Sequence, residues 1–267
     1  MKNVLTIAGS DSCGGAGIQA DIKTMSALGV YGMSVITAVT AQNTLGVQNV
    51  QEISLELIEA QIRSIFDDIQ VDAVKIGMVS NPEIIILIKK LLLEYNAKNI
   101  VLDPVMVSKS GYFLLKEEAQ EELKDLISIT DIVTPNIPEA EIISGMKIEN
   151  GEDMKNSALK IKTLGAKNIL VKGGHRCNDA NDILLYGEGF ITLKGERIFT
   201  NNTHGTGCTL SSAIASYLAL GCNLKEAVML SKEYITKAIE NSFPIGNGVG
   251  PVGHFIELYK KAGIKYE

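Results

Sequence analysis

The chain has 267 residues, 46% of them hydrophobic, and its 25 Lys and Arg against 31 Asp and Glu give a net charge of −6 at pH 7. That length predicts one large domain over 1–267 with a core big enough to need no disulfide or metal staple. The acidic balance is the wrong footprint for nucleic acid, and no apolar run reaches the ~20 residues of a membrane helix, since Ile84 to Leu93 is broken by Lys89-Lys90. Cys13, Cys177, Cys208 and Cys222 form no CxxC pair. Strand-like residues begin at Val4 with no secretion signal before them, so free thiols and a cytoplasmic protein are expected.

Along the chain, short β-branched runs alternate with longer segments of helical period. Strands are predicted at Val4–Ala8, Met33–Thr40, Ala73–Gly77, Asn99–Asp103, Ile132–Thr134 and Asn168–Lys172. Helices are predicted at Gly17–Leu28, Leu55–Ile69, Pro82–Tyr95, Lys116–Ile127, Pro138–Ser144 and Met154–Leu164. Asn81-Pro82 is a helix start, and Gly29 and Gly165 stand where helices should stop. Strand–helix repetition with strands apolar on both faces implies an α/β fold with a mostly parallel central sheet and helices on both faces. Beyond Gly173, Ile183–Tyr186, Phe190–Leu193 and Glu196–Phe199 read as a small antiparallel edge, followed by two helices near Thr206–Leu220 and Leu224–Asn241.

Ligands of such sheets gather beyond the carboxyl ends of the strands, so the residues after each strand carry the functional signal. There the chain reads Gly-Ser-Asp-Ser-Cys-Gly-Gly-Ala-Gly from Gly9, Ala-Gln-Asn-Thr from Ala41, Asp-Pro-Val-Met from Asp103 and Pro-Asn-Ile-Pro-Glu from Pro135. Gly15-Ala16-Gly17-Ile18-Gln19-Ala20 satisfies a dinucleotide fingerprint, but the second strand ends in Gln42-Asn43-Thr44, without the acid that would hold a ribose. No GxxxxGK[ST] occurs. The stronger anion site is His204-Gly205-Thr206-Gly207-Cys208-Thr209, where glycines and unpaired amides open a helix rich in small residues. Asn136-x-x-Glu139 and Asp103 offer oxygen donors for hydrated magnesium, and Lys172 a cation for phosphate oxygens. Metal, cation and backbone donors together are the inventory of phosphoryl transfer.

At Gly205-Thr206-Gly207-Cys208 and Asn136-x-x-Glu139 the chain resembles the ribokinase-like superfamily, and more closely the hydroxymethylpyrimidine/phosphomethylpyrimidine kinases of thiamine biosynthesis. Further matching stretches are Thr6 to Asp21, Thr40 to Thr44, Lys75-Ile76-Gly77-Met78, Asp103 to Met106 and Val171 to His175. The resemblance implies a kinase that uses ATP and Mg2+ to phosphorylate the pyrimidine alcohol and then its monophosphate. It assigns Cys208, Gly205, Gly207 and Lys172 to catalysis. Gln42 would read the aminopyrimidine, with Gly9, Asp11, Ala16, Met78 and Val105 around the ring. Asn136, Glu139, Lys172 and Thr206 would hold the nucleotide, and Asp103 and Glu139 the metal. Cys208 stands where the superfamily has an aspartate; a thiol at a helix N-terminus should have a lowered pKa and could be a base, or it only positions substrate. Ser108-Lys109-Ser110-Gly111 is a candidate flap, and His175 and His204 are read as loop hydrogen-bonders. Rival readings are a vitamin B6 kinase on the same scaffold, a sugar kinase and a non-catalytic nucleotide sensor. A homodimer is implied by the fold.

Overall fold

The computed structural model describes residues 1–107, 114–115, 117–174 and 180–264. Its elements run β1 (Asn3–Asp11), α1 (Gly17–Ala27), β2 (Tyr31–Asn43), β3 (Gly46–Glu52), α2 (Leu55–Phe66), β4 (Ala73–Ile76), α3 (Pro82–Glu94), β5 (Ile100–Leu102) and α4 (Gln120–Ile127). There follow β6 (Ile132–Val133), α5 (Ile137–Ser144), α6 (Gly151–Lys162), β7 (Ile169–Val171), β8 (Asp182–Tyr186), β9 (Gly189–Leu193), α7 (Thr206–Ala219), α8 (Leu224–Glu240) and α9 (Ile256–Lys261). One sheet takes the order β3-β2-β1-β4-β5-β6-β7-β8-β9. Its six central strands are parallel, with β3 antiparallel at one edge and β8 and β9 at the other.

The strands are apolar on both sides because both sides are covered. Leu5 and Ile7 of β1 join a core with α2, α3, α4 and α6, whereas Val4 joins Met25, Leu210, Ile214 and Val228 beneath α1, α7 and α8. Local signals set the boundaries. Asn81 caps α3 by accepting from the Ile84 amide, with Pro82 at the first helical position, and Gly29 and Gly165 take positive φ of 79° and 104° after their helices. The six core strands and the helices form as the periodicity predicts, with ends shifted by a few residues.

Three differences have physical causes. Glu196–Phe199 forms no strand; Phe199 is 93% exposed, so the segment has no apolar face held against the sheet, and β9 remains the edge. β3 was hidden because Val-Gln-Asn-Val-Gln buries neither face and so carries no apolar alternation. The short α9 lacks a side-chain cap and has one buried residue, Ile256, too little to announce a helix.

Candidate active site

The parallel strands all end at one edge of the sheet, and the N-terminus of α7 is brought to the same edge. Gly205 precedes α7 in the left-handed region, φ 77°, where glycine is favoured. A β-carbon there would collide with the carbonyl oxygen of Gly15, so the bend and the loop after β1 fit together only without a side chain. The Thr209 amide reaches the Gly205 carbonyl, while the amides of Gly207 and Cys208 have no acceptor among the described residues. Such amides at a helix start attract anions.

Opposite the bend lie the charges. A β-carbon on Gly207 would stand 3.3 Å from Asp103 Oδ2 and 3.4 Å from Lys172 Nζ, so glycine keeps this gap open. Lys172 pairs with Asp103 at 2.7 Å, and Thr134 donates to the same carboxylate at 3.3 Å. Burial pushes the Lys172 ammonium down in pKa, but Asp103 and then Glu139 outweigh it and hold it above its ordinary value.

Asn136-x-x-Glu139 forms a capping box on α5. The Asn136 side chain accepts from the Glu139 amide at 3.0 Å, and the Glu139 carboxylate accepts from the Asn136 amide at 2.8 Å. The motif therefore builds a helix start as well as supplying oxygens. Burial pushes the Glu139 carboxyl up to about 7, against the pull of Lys172 and with a further push from Asp103. No group of three or more ligating side chains occurs among the described residues. Two adjacent carboxylates, one of them burdened by its own burial, suit a divalent ion that keeps most of its waters and takes its other oxygens from phosphate.

The expected lowering of the Cys208 pKa does not occur. Burial pushes the thiol up to about 11; Lys75 pulls it down, but Asp21 and Asp103 push it further up, and the Gly17 amide compensates only in part. A helix dipole is a partial charge, and desolvation beside two carboxylates outweighs it. Cys208 is thus a neutral thiol near pH 7.

On the other side of the cleft, a β-carbon on Gly9 would stand 3.0 Å from Met78 Sδ, which brings two of the expected ring-lining residues together. Ala16 lies against Gly205, and Val105 is half-buried just after β5. Asp11 is occupied by its own loop: its carboxylate accepts from the amides of Cys13 (2.8 Å), Gly15 (3.0 Å) and Ala16 (2.8 Å). It also meets His204 Nε2 at 2.9 Å. Although burial raises the Asp11 pKa, His204 and the loop amides hold it below the usual carboxylate range. Gln42 Nε2 lies 3.2 Å from the same His204 nitrogen, so the histidine joins the first loop to the putting-in-place of the amide. Thr206 Oγ1 donates to the Thr203 carbonyl, tightening the bend. His175 and the Ser108–Gly111 segment lie outside the described residues.

Sequence reasoning missed one feature of the site. Lys75 on β4 and Asp21 on α1 form an ion pair without solvent exposure beneath Cys208. A lysine within Ala-Val-Lys-Ile gave no sign of a partner 54 residues away.

The chain matches the family model described as phosphomethylpyrimidine kinase over residues 11–253. It is 47% identical over 252 residues to the hydroxymethylpyrimidine/phosphomethylpyrimidine kinase of Streptomyces coelicolor, covering 94% of this chain and 93% of the other. It spans about half the length of a bifunctional relative, 52% of that protein. Among solved structures it is similar to phosphomethylpyrimidine kinase from Clostridium difficile 630, with a TM-score of 0.81 and 57% identity over 90% of this chain and all of the other. An ADP complex of Bacillus subtilis pyridoxal kinase superposes with a TM-score of 0.90 at 43% identity, covering 95% and 97%. With the ribokinase-like architecture and a match over nearly its whole length, the chain belongs to the phosphomethylpyrimidine kinase family.

Proposed function

We propose that the chain is a single-domain kinase that transfers the terminal phosphoryl group of ATP to 4-amino-5-hydroxymethyl-2-methylpyrimidine and then to its monophosphate. The observation that carries the reading is the bend at 205–208, whose free amides face the Lys172–Asp103 pair across a gap kept open by Gly207. A migrating phosphoryl group needs donors fixed in advance where its charge spreads, and these need no reorganisation when it arrives. Lys172 clamps phosphate oxygens, and Thr206 keeps the bend in shape.

Asp103 and Glu139 would hold Mg2+ through its waters, with Asn136 fixing Glu139; the ion supplies charge neutralisation for the phosphate oxygens. Gln42 presents an amide donor and acceptor to the aminopyrimidine edge, over a ring pocket of Gly9, Ala16, Met78 and Val105. Asp11 acts by shaping that loop. Cys208 positions the acceptor hydroxyl as a neutral thiol. Proton removal need not precede transfer when the transition state is loose.

The resemblance to a pyridoxal kinase supports a second reading, vitamin B6 phosphorylation. The test of both is ADP release from ATP and Mg2+ with hydroxymethylpyrimidine, its monophosphate, pyridoxal and ribose. Turnover of both pyrimidines bears the proposal out. Pyridoxal alone would replace it with the second reading, and no turnover would leave a nucleotide sensor. Among the described residues no helix is long and apolar enough to cross a membrane. A cytoplasmic homodimer is our expectation, which sedimentation would check.

A further inference from the structure

Among the described residues, Lys75 is the largest of the wholly buried side chains. Its ammonium lies 2.8 and 3.0 Å from the two oxygens of Asp21, which also accept from Thr6 at 2.6 Å and Ser212 at 2.6 Å. The four residues come from β4, α1, β1 and α7. A buried ion pair is a poor stabiliser, because taking two charges out of water costs about as much as their attraction returns, and well-packed apolar residues often serve as well. Stability alone gives no reason for a lysine here.

Its place in the fold does. Ser212 lies four residues beyond Cys208, on the same face of α7 and one turn below it. Gly77 follows Lys75 toward the strand end, and a β-carbon there would come within 2.6 Å of the Lys75 Nζ, so glycine leaves room for the ammonium at the active-site edge. Each Asp21 oxygen takes two donors. The ammonium has three N–H groups and, among the described residues, bonds only Asp21; Cys208 and Asp103 are the next negative-going groups that it feels. Burial is the largest influence on the Cys208 thiol, and of the two paired charges Lys75 acts on it more strongly than Asp21. The ammonium lies against Gly77 at the carboxyl end of β4, while Ser212 holds Asp21 one turn further along α7, so the pair turns its positive end toward the start of that helix.

We propose that Lys75, held by Asp21, is a positioning residue for phosphoryl transfer, backing the 205–208 bend with a fixed positive charge where water cannot screen it. Such a charge is worth more in the interior than at the surface and needs no reorganisation as the phosphoryl group moves. The inference rests on the kinase reading above.

The test is the double variant Lys75→Met/Asp21→Asn, which removes both charges so that neither is left buried alone. Three readouts are taken beside the parent: the thermal midpoint, the kinetic constants with ATP and the pyrimidine alcohol, and carbamidomethylation of Cys208 by iodoacetamide, in which the thiolate displaces iodide. The last is followed by mass spectrometry of the peptide that carries it, at about pH 9. The expected result is a midpoint near that of the parent, kcat lower by about tenfold or more and KM values within about threefold. Cys208 should be alkylated several-fold more slowly, an effect that a merely structural tie would not produce. Parental kcat and parental alkylation in a folded double variant overturn the proposal. Alkylation needs no turnover, so a parent protein that phosphorylates nothing defeats the kinase reading and leaves the thiol rates to decide this one. If the double variant does not fold, Gly77→Ala decides, because it displaces the ammonium and keeps both charges. A lower kcat with slower Cys208 alkylation supports the proposal, and parental values of both overturn it.

Discussion

Gly205 packs its Cα against the carbonyl oxygen of Gly15 so closely that any side chain would occupy the oxygen's own space. Two loops 190 residues apart in sequence order, one proposed to bear the phosphate donors and the other to border the acceptor pocket, thus share a contact that only glycine permits. Gly205→Ala has both the collision and a positive φ to overcome. The variant should lose about 10²-fold or more in kcat, the scale of removing a fixed transition-state donor, and should melt lower than the parent. Steady-state kinetics with a thermal melt checks this.

Cys208 should behave as a thiol rather than a thiolate. With its pKa pushed up to about 11 by burial, Cys208→Ser should keep the rate within about tenfold, since serine also presents a neutral hydrogen-bonding group. The alkylation rate of Cys208 should still be climbing between about pH 9 and pH 10, where an ordinary cysteine has nearly levelled off. A plateau near neutrality would contradict the assignment.

Glu139 should trade stability for function. Its folded pKa, about 7, lies above the ordinary value of 4.5, so burial favours its protonated form. The sign follows: that contribution is fully present below the unfolded pKa and is lost as pH rises through about 7. Glu139→Gln should therefore melt as high as the parent or higher at pH 8, with the difference shrinking as pH falls toward 4.5. Turnover should drop by roughly 10²-fold or more, because the proposed magnesium site would lose a carboxylate.

Asp11 should matter more to stability than its position near the pocket suggests. Asp11→Ala leaves three loop amides without their acceptor, a cost of about 3 kcal/mol for the group. In a chain of this size that lowers the melting midpoint by roughly 6–12 °C. Saturating ATP and pyrimidine should restore part of the loss, and calorimetry with and without ligands measures it.

Gln42 should set the choice of acceptor. Gln42→Met removes the donor–acceptor pair and should lower kcat/KM for hydroxymethylpyrimidine by roughly 10- to 100-fold, the worth of a buried bond left unmade. Pyridoxal should gain relative to the pyrimidine. Unchanged pyrimidine kinetics would remove Gln42 from recognition.

The sheet was legible because its central strands are apolar on both faces, a pattern that few other structures produce. The glycine bend at 205–208 was legible for a related reason: Gly205 and Gly207 stand where backbone comes close to Gly15, Asp103 and Lys172. What sequence did not disclose depends on distance and solvent. Asn136 and Glu139 were read by their oxygens alone, although the same spacing is also the signature of the capping box that opens α5. The helix-terminus rule gave the wrong direction for Cys208, since spacing does not tell how dry a site is. Nothing in the sequence tied Lys75 of β4 to Asp21 of α1, which meets it only in the folded chain.

The bend is the front end of α7, and that helix is seated on β1, β4 and β5 with most of its first three turns buried. An element wedged so firmly at the centre cannot retreat to admit a longer guest. If the acceptor grows by one phosphoryl group between the two rounds of transfer, the extra length must be absorbed by the rim bearing Gln42 and Val105. The anvil stays still, and the workpiece is shifted.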